Sequence, residues 1–293
     1  MVLPFAAGGS SDTIARIVAE GMRASLGQPV IIENVPGASG SLGTERAARA
    51  PADGYTICLG SWASHVVNGA VNTLQYDVLN DFEPISLIVS NPLVIVVRKT
   101  IPANDLGELI AWFKANPANA TLGTAGPGSA AHLAGLFFSK QTGTRLQHVP
   151  YRGLGFAMQD LVGGRIDMIF DLAANSLPQV RAGTVKALAV TAKSRLEVAP
   201  DIPTVDEAGL PGLYMSVWQA VWAPKGTPPA IIERLNAAVV DSLALPTTRR
   251  RLADLGQEIF PRAQQTPEGL HALQRSEIEK WWPIIKAENI KAQ

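Results

Sequence analysis

Short apolar runs, each of strand length, alternate with longer amphipathic stretches from one end of the chain to the other. The clearest helical pattern covers residues 11–26, where Ile14, Ile17, Val18 and Met22 share one face. Alternation of this kind predicts an α/β protein with largely parallel sheets. The strand-like runs lie at residues 2–5, 30–34, 56–59, 93–97, 121–123, 147–149, 168–170 and 188–191.

The chain has 293 residues, which is long for one hydrophobic core and suits two, because domains usually have roughly 100–150 residues. Apolar runs at 93–97 and 217–223 bracket a second set of elements, and we interpret both runs as strands that cross between two lobes. We therefore predict a discontinuous first lobe of residues 1–98 and 222–293, a second lobe of residues 99–221, and a ligand cleft between them.

Composition argues against several kinds of partner. Lys plus Arg and Asp plus Glu number 25 each, so we do not expect the basic face with which a protein binds nucleic acid. No apolar stretch approaches the ~20 residues of a membrane-spanning helix, so direct insertion into a membrane is not expected. Cys58 is the only cysteine and the four histidines lack metal-ligand spacing. We predict no disulfide, no metal site and no cofactor.

A Gly-rich loop leads from the first strand-like run into the first helix. It contains Phe5, Gly8, Gly9, Ser10 and Asp12. The glycines allow a ligand to approach the backbone, and the start of a helix offers unpaired N–H donors and a partial positive charge to an anion. The alternative is a tight turn whose serine or aspartate only caps the helix.

A second loop of the same kind follows the run at 121–123. Its residues Gly126, Ser129 and His132 again stand between a strand and a helix. In open α/β sheets, ligands bind beyond the carboxyl ends of the strands, where both loops are predicted to lie. Neither loop contains Lys or Arg, and neither matches a phosphate-binding loop or a dinucleotide fingerprint. This pattern predicts a small carboxylate held by backbone N–H groups and hydroxyls. His132 could serve either as a ligand contact or as a purely structural residue, and the sequence does not favour one over the other.

Further candidates follow other strands. Ser61, Trp62 and Ala63 come after the run at 56–59, and Asp171 comes after the run at 168–170. Asp171 is predicted to accept a hydrogen bond from a ligand hydroxyl or ammonium, or to hold neighbouring loops together. A tryptophan is more often part of a core than a ligand contact, and this alternative stays open for Trp62.

Ser129, His132 and Asp171 are also the residue types of a hydrolase. However, a serine that caps a helix uses its oxygen there, and the chain has no G-x-S-x-G elbow. We predict that the protein is not an enzyme and has no catalytic residue, with a Ser/His hydrolase as the less favoured alternative.

Nearly the whole chain resembles a known family, the periplasmic receptors of tripartite tricarboxylate transporters, or Bug receptors. The similarity is carried by PFAAGGSSD from Pro4, ENVPGASGSLG from Glu33, ADGYTICLG from Ala52, GTAGPGSAAHL from Gly123 and VPYRG from Val149. It continues with LVGGRIDMIFD from Leu161, AGTVKALAVT from Ala182, PDIPTVDEAGLPG from Pro200 and APKGTPPAII from Ala223.

The resemblance implies a two-lobed type II periplasmic-binding-protein fold with two crossing hinge strands. It also implies a ligand carboxylate held between the two Gly-rich loops, partly through ordered waters. The carboxylate would be a dicarboxylate, an aromatic acid or an acidic amino acid, delivered to the membrane components of a secondary transporter. The alternative within the same fold is that this chain is a receptor that reports its ligand to a signalling partner rather than supplying a transporter. Carried over position by position, the family's ligand contacts are Phe5, Gly8, Gly9, Ser10, Asp12, Gly126, Ser129, His132 and Asp171.

The chain departs from the family pattern in two respects. Members normally have an export signal and a longer first strand, whereas here only residues 2–5 precede the first loop and no charged and apolar export signal precedes it. A periplasmic location is therefore an expectation from the resemblance alone. Trp62 is bulkier than the residue expected after its strand, which predicts a reshaped pocket.

Overall fold

A computed structural model of the protein describes residues 1–117 and 120–291. The strands are β1 (Val2–Leu3), β2 (Glu33–Asn34), β3 (Cys58–Ser61), β4 (Phe82–Arg98), β5 (Thr121–Thr124), β6 (Gln147–Pro150), β7 (Met168–Leu172), β8 (Val185–Val190), β9 (Ser216–Pro224) and β10 (Glu258–Ile259). The helices are α1 (Ser10–Leu26), α2 (Ser41–Ala48), α3 (Asn68–Val71), α4 (Leu106–Ala115), α5 (Ala130–Thr142), α6 (Leu154–Val162), α7 (Ala173–Arg181), α8 (Pro229–Ala244), α9 (Pro246–Asp254) and α10 (Pro267–Ala287).

The chain forms two compact units. Unit 1 contains Met1–Ser90 and Trp218–Lys286, and unit 2 contains Asn91–Val217 and Ala287–Lys291. The chain leaves unit 1 within β4 and returns within β9. The predicted lobe boundaries, 98/99 and 221/222, lie in or at the end of the same two strands. The lobe assignment stays a prediction, and its residues 118, 119, 292 and 293 lie outside the described residues.

In unit 1 the strands follow the order β2-β1-β3-β9-β4, and β10 pairs with β4. Strand β1 runs parallel to β2 and β3, whereas β9 runs antiparallel to β3 and places Gln219 opposite Ser61. Helix α1 covers this sheet because Ile14, Ile17, Val18 and Met22 are buried on one face. These side chains join Leu59, Val221, Val239 and Leu243 in one apolar core.

Helix α1 also packs closely on α8. A Cβ at Gly21 would clash with the Ser242 hydroxyl oxygen, so the two backbones approach each other at a residue without a side chain. The Ser242 hydroxyl donates to the carbonyl of Val18 over 2.9 Å. Gly27 ends α1 in the left-handed conformation, and its N–H donates to the Arg23 carbonyl.

In unit 2 the strands follow the order β4-β7-β5-β6, and β8 also pairs with β4. Strand β5 is parallel to β6 and β7, and β4 is antiparallel to β7 and β8. Val94, Val96 and Ile169 from the strands pack against Leu161 and Leu177 from the helices. Each unit is thus a mixed α/β layer structure.

The α/β class is confirmed, but the sheets are mixed rather than largely parallel. The strands that carry the chain across the unit boundary, β4 and β9, run antiparallel to their neighbours. The predicted strands 2–5 and 30–34 are wrong in length, since only Val2–Leu3 and Glu33–Asn34 pair. Pro4 lacks the N–H that would extend the ladder. The predicted run 93–97 is one part of the 17-residue β4.

Across residues 1–117 and 120–291, none of the helices combines the length and the apolarity needed to span a membrane.

Candidate functional site

The first Gly-rich loop joins β1 to α1 in unit 1. Gly8 adopts a φ of +81°, which favours glycine, and both Gly8 and Gly9 are exposed. Gly9 is the N-cap of α1 and has no side chain to cap it. The first-turn N–H groups of a helix have no partner inside the helix. The exposed start of α1, at Ser10, therefore offers donors and a partial positive charge to an anion.

Asp12 holds this loop in place. Its carboxylate accepts hydrogen bonds from the Gly8 N–H, the Arg16 Nε and the Asn34 side-chain amide, each over 3.0 Å. The same Asn34 amide group donates to the carbonyl of Phe5. The bonds from Arg16, Gly8 and Asn34 lower the pKa of Asp12 to about 2. Asp12 is only 5 % exposed, and its carboxylate oxygens already accept these hydrogen bonds. Its role is therefore to hold the loop backbone.

The segment after β3 is largely buried. The Ser61 N–H donates to the hydroxyl of Ser64 over 2.9 Å, and that hydroxyl lies 3.0 Å from Nδ1 of His65. Trp62 is 2 % exposed and packs edge-on against Trp281, with ring centroids 5.9 Å apart. These contacts favour the core interpretation of Trp62. Ala63 is half-buried and Ser61 is buried.

The second Gly-rich loop joins β5 to α5 in unit 2. Gly126 and Gly128 have φ values of +94° and +76°, in the region that favours glycine. Ser129 caps α5, because its hydroxyl accepts the His132 N–H over 3.3 Å. The Gly128 N–H donates to Nδ1 of His132 over 3.1 Å. His132 therefore holds the loop from inside the helix, as Asp12 does in unit 1.

The His132 ring also meets a second histidine. His148, on β6, lies edge-to-face with it at 4.8 Å between centroids. Burial lowers the pKa of His132, with Glu288 opposing, and burial together with His132 lowers the pKa of His148 to about 4. Both rings are neutral at physiological pH. A neutral His132 keeps Nδ1 available as the acceptor for Gly128.

The sequence pattern predicted Asp171 just after its strand. In the structure Asp171 lies inside β7. It is 1 % exposed, and its carboxylate accepts the Leu172 N–H over 2.8 Å and the Asn175 amide over 2.6 Å. Burial raises the pKa of Asp171 to about 6, against these two hydrogen bonds. Asp171 is thus a desolvated carboxyl that any further hydrogen-bond donor would stabilise in its charged form.

The sequence missed two residues that position the first loop. Asn34 lies on β2, far from the loop in sequence, and Gln219 lies on β9, where its amide Nε2 donates to the Ser11 hydroxyl over 3.0 Å. A polar residue inside an apolar strand pattern was the signal available for Gln219.

The polar side chains in these loops are not arranged for covalent catalysis. Ser129 spends its oxygen on its own helix, and the Nδ1 of His132 accepts from a backbone N–H rather than from a serine hydroxyl. Within residues 1–117 and 120–291, no three His, Cys, Asp or Glu side chains gather in a way that would hold a metal ion. What the loops contain is the first-turn N–H groups of α1 and α5, which have no partner inside their own helices.

The chain is similar to known proteins over nearly its whole length. The family model for the tripartite tricarboxylate transporter family receptor matches residues 14–290. The UPF0065 protein in the TAR-I ttuE-ttuC' intergenic region of Agrobacterium vitis is 41% identical over 285 residues, which cover 97% of this chain and 82% of that protein. Protein BugT of Bordetella pertussis is 34% identical over 293 residues, covering 99% of this chain and 89% of BugT.

Three solved structures are similar over nearly their full length. The periplasmic binding protein BugD is 38% identical with a TM-score of 0.77, covering 100% of this chain and 98% of BugD. MatC from Rhodopseudomonas palustris with bound malate is 37% identical with a TM-score of 0.77, covering 97% of each chain. A second R. palustris protein, solved with adipate, is 32% identical with a TM-score of 0.79, covering 99% of this chain and 97% of the other.

Proposed function

Because this chain belongs to the tripartite tricarboxylate transporter receptor family, it is a solute-binding receptor and not an enzyme, and we propose that its two Gly-rich loops hold the carboxylate of a small organic acid. One observation carries this proposal. In both loops a glycine N–H is bonded to a side chain four residues later, Gly8 to Asp12 and Gly128 to His132. Each loop is thereby fixed in front of a helix N-terminus before any ligand binds.

Fixed backbone donors suit a carboxylate. Donors that are already in place lose little conformational freedom on binding. Each helix end contributes only ~0.3–1 kcal/mol when exposed, whereas micromolar binding requires about 8 kcal/mol. Several hydrogen bonds from both loops are therefore needed, and the proposed contacts are Phe5, Gly8, Gly9, Ser10, Gly126 and Ser129. The N–H groups of Gly8, Gly126 and Ser129 already donate to Asp12, Thr124 and Gly126, so the two glycines contribute a close approach to the backbone and Ser129 its hydroxyl proton. Asp12 and His132 act on the ligand through the loops that they hold.

Two related receptors support the ligand class. MatC was solved with malate and the second R. palustris protein with adipate, and both are dicarboxylates. We propose a small dicarboxylate or a related organic acid for this chain. The desolvated Asp171 would accept a hydrogen bond from a hydroxyl, ammonium or protonated carboxyl group at the other end of the ligand.

Membership of the family supports a proposal for the cellular role. Members include periplasmic binding proteins such as BugD. We propose that this protein acts in the periplasm and delivers its ligand to the membrane components of a tripartite transporter.

Thermal-shift measurements with a panel of carboxylic acids, amino acids, sugars and nucleotides test the ligand class. A ligand at 100 times its Kd stabilises the folded protein by about 2.7 kcal/mol, which raises the unfolding midpoint by several degrees. A shift with carboxylates is expected. Shifts with sugars or nucleotides alone would contradict the proposal.

A charge added at the first loop tests the site. Ser10→Asp places a carboxylate at the exposed first turn of α1, where it interacts favourably with the helix dipole but repels an anionic ligand. We expect an unchanged or raised unfolding midpoint and a loss of affinity of about tenfold or more. The matched control is Ala230→Asp, which adds the same charge to the exposed first turn of α8. Equal effects of the two variants on affinity would place the ligand elsewhere.

A further inference from the structure

Gln219 lies on the face of β9 that is turned toward α1. Side chains alternate along a strand, and Trp218 and Trp222 share one face, with ring centroids 6.1 Å apart. Gln219 and Val221 therefore share the other face, where Val221 packs in the core with α1 residues such as Ile14. Gln219 is the polar end of this otherwise apolar face.

The side-chain amide of Gln219 has a hydrogen-bond partner at its nitrogen and, among the described residues, none at its oxygen. The residue is 7 % exposed, and Nε2 donates to the Ser11 hydroxyl over 3.0 Å. In the described part of the chain, Oε1 has no hydrogen-bond partner. A buried carbonyl oxygen without a partner is unfavourable, because it has lost its hydrogen bonds to water and gained none in the protein. Such an acceptor is suited to receive a donor from outside the protein.

The unpaired acceptor belongs to an amide that lies at the helix end to which we assign the carboxylate. Ser11 belongs to the first turn of α1, directly after Ser10, so the amide that contacts Ser11 reaches that turn. Ser61 stands opposite Gln219 in the register of β3 and β9 and is also buried, and directly opposed residues share a face of the sheet. A donor bonded to Oε1 would therefore sit close to a carboxylate at the start of α1.

We propose that Gln219 determines ligand specificity, with its amide oxygen accepting a hydrogen bond from a hydroxyl or ammonium group on the carbon next to the ligand carboxylate. The ligand class is then the 2-hydroxy or 2-amino acids. This inference rests on the proposed function, since it needs the carboxylate at the start of α1. A site that hydrogen-bonds a substituent discriminates strongly against the analogue that lacks it, because the buried acceptor is then left unpaired.

Calorimetric binding with three pairs of acids tests the proposal: malate with succinate, lactate with propionate, and glutamate with glutarate. The members of each pair differ only in the substituent next to one carboxylate. We expect the wild-type protein to prefer the substituted member of any pair that it binds by about tenfold or more. In Gln219→Met, which keeps the length of the side chain but loses the acceptor, this preference should fall below about threefold through loss of the substituted member.

The control variant is Gln265→Met. Gln265 is 5 % exposed in the same unit, and its amide donates to the carbonyl of Phe260, away from the first loop. It should keep the wild-type preference. A preference retained in Gln219→Met would overturn the proposal, as would an equal loss for both members of a pair or binding of unsubstituted acids such as adipate alone.

The unliganded protein gives a second readout. Gln219→Met removes the hydrogen bond from Nε2 to Ser11 but also removes the unpaired buried Oε1. The second change is favourable and offsets the first, so we expect the unfolding midpoint to be unchanged or higher. A fall of several degrees would show that the amide serves mainly to hold Ser11 and that Oε1 is not left unpaired, which would overturn the inference. If no carboxylate shifts the midpoint of the wild-type protein, the proposed function itself fails, whereas equal binding within every pair removes only the role of Gln219.

Discussion

The backbone N–H of Gly128 donates to Nδ1 of His132 over 3.1 Å, from a loop glycine to the third residue of α5. The first loop has a hydrogen bond in the same position but with a different acceptor. There the Gly8 N–H donates to the carboxylate of Asp12, the third residue of α1. One acceptor is neutral and the other is charged. Substitutions at these two acceptors should therefore have different effects.

His132→Phe removes the acceptor for Gly128 while keeping a ring against His148. The second loop loses its fixed conformation, so we expect carboxylate affinity to fall by about tenfold and stability to fall by about 1 kcal/mol. Calorimetry and thermal unfolding measure the two effects. His271→Phe, at an exposed position of α10, is the control. An affinity equal to that of the control would show that the loop does not need the histidine.

Asp12→Asn removes a charge that three donors share. The lost hydrogen bonds from Gly8 and Arg16 should lower the free energy of unfolding by about 1–3 kcal/mol. In a chain of this size this corresponds to a midpoint shift of a few degrees, which calorimetry would resolve. The exposed Asp254→Asn serves as the matched variant. An unfolding midpoint equal to that of the wild-type protein would contradict the structural role that we assign to Asp12.

Asp171 should make stability fall as pH rises through the acid range. Its folded pKa of about 6 lies above the ordinary value, so between about pH 4 and 6 the folded state holds a proton that the unfolded chain has lost. The stabilising contribution is present below this window and lost above it. Asp171→Asn should be more stable than wild type at pH 8 by about 1–3 kcal/mol, and this gain should vanish near pH 4. Urea unfolding at both pH values measures it, and a gain that did not depend on pH would contradict the assignment.

The buried histidines should act in the opposite direction. Burial lowers the pKa of His65 to about 3 and that of His148, with His132 contributing, to about 4. The unfolded chain binds protons at these sites from about pH 6.5 downward while the folded chain does not. Their contribution to stability is complete above about pH 6.5 and decreases as pH falls toward 4. His148→Phe should reduce the slope of stability against pH in this range, whereas His271→Phe should keep it. Equal slopes in the two variants would count against the buried, neutral state of His148.

Local pattern predicted the parts of the protein that depend on neighbours in sequence. The stripe on α1 and the two strand, loop and helix segments depend on spacing within about twenty residues, and the pattern showed them. Asn34 and Gln219 reach the first loop from β2 and β9, and only the pairing of strands brings them there. The antiparallel direction of β9 likewise depends on long-range pairing. The sequence did not decide whether Trp62 is a core residue or a ligand contact, because the strand pattern of alternating side chains stops at the helical turn that follows β3.

The tryptophans are distributed unevenly between the two units, which affects what intrinsic fluorescence can detect during unfolding. Unit 1 contains Trp62, Trp218, Trp222, Trp281 and Trp282, whereas Trp112 is the only tryptophan of unit 2. Trp222 is also stacked on His65, with ring centroids 3.7 Å apart and planes inclined by 6°. Tryptophan fluorescence therefore follows mainly the unfolding of unit 1, and loss of structure confined to unit 2 would change the emission through Trp112 alone while remaining visible in circular dichroism.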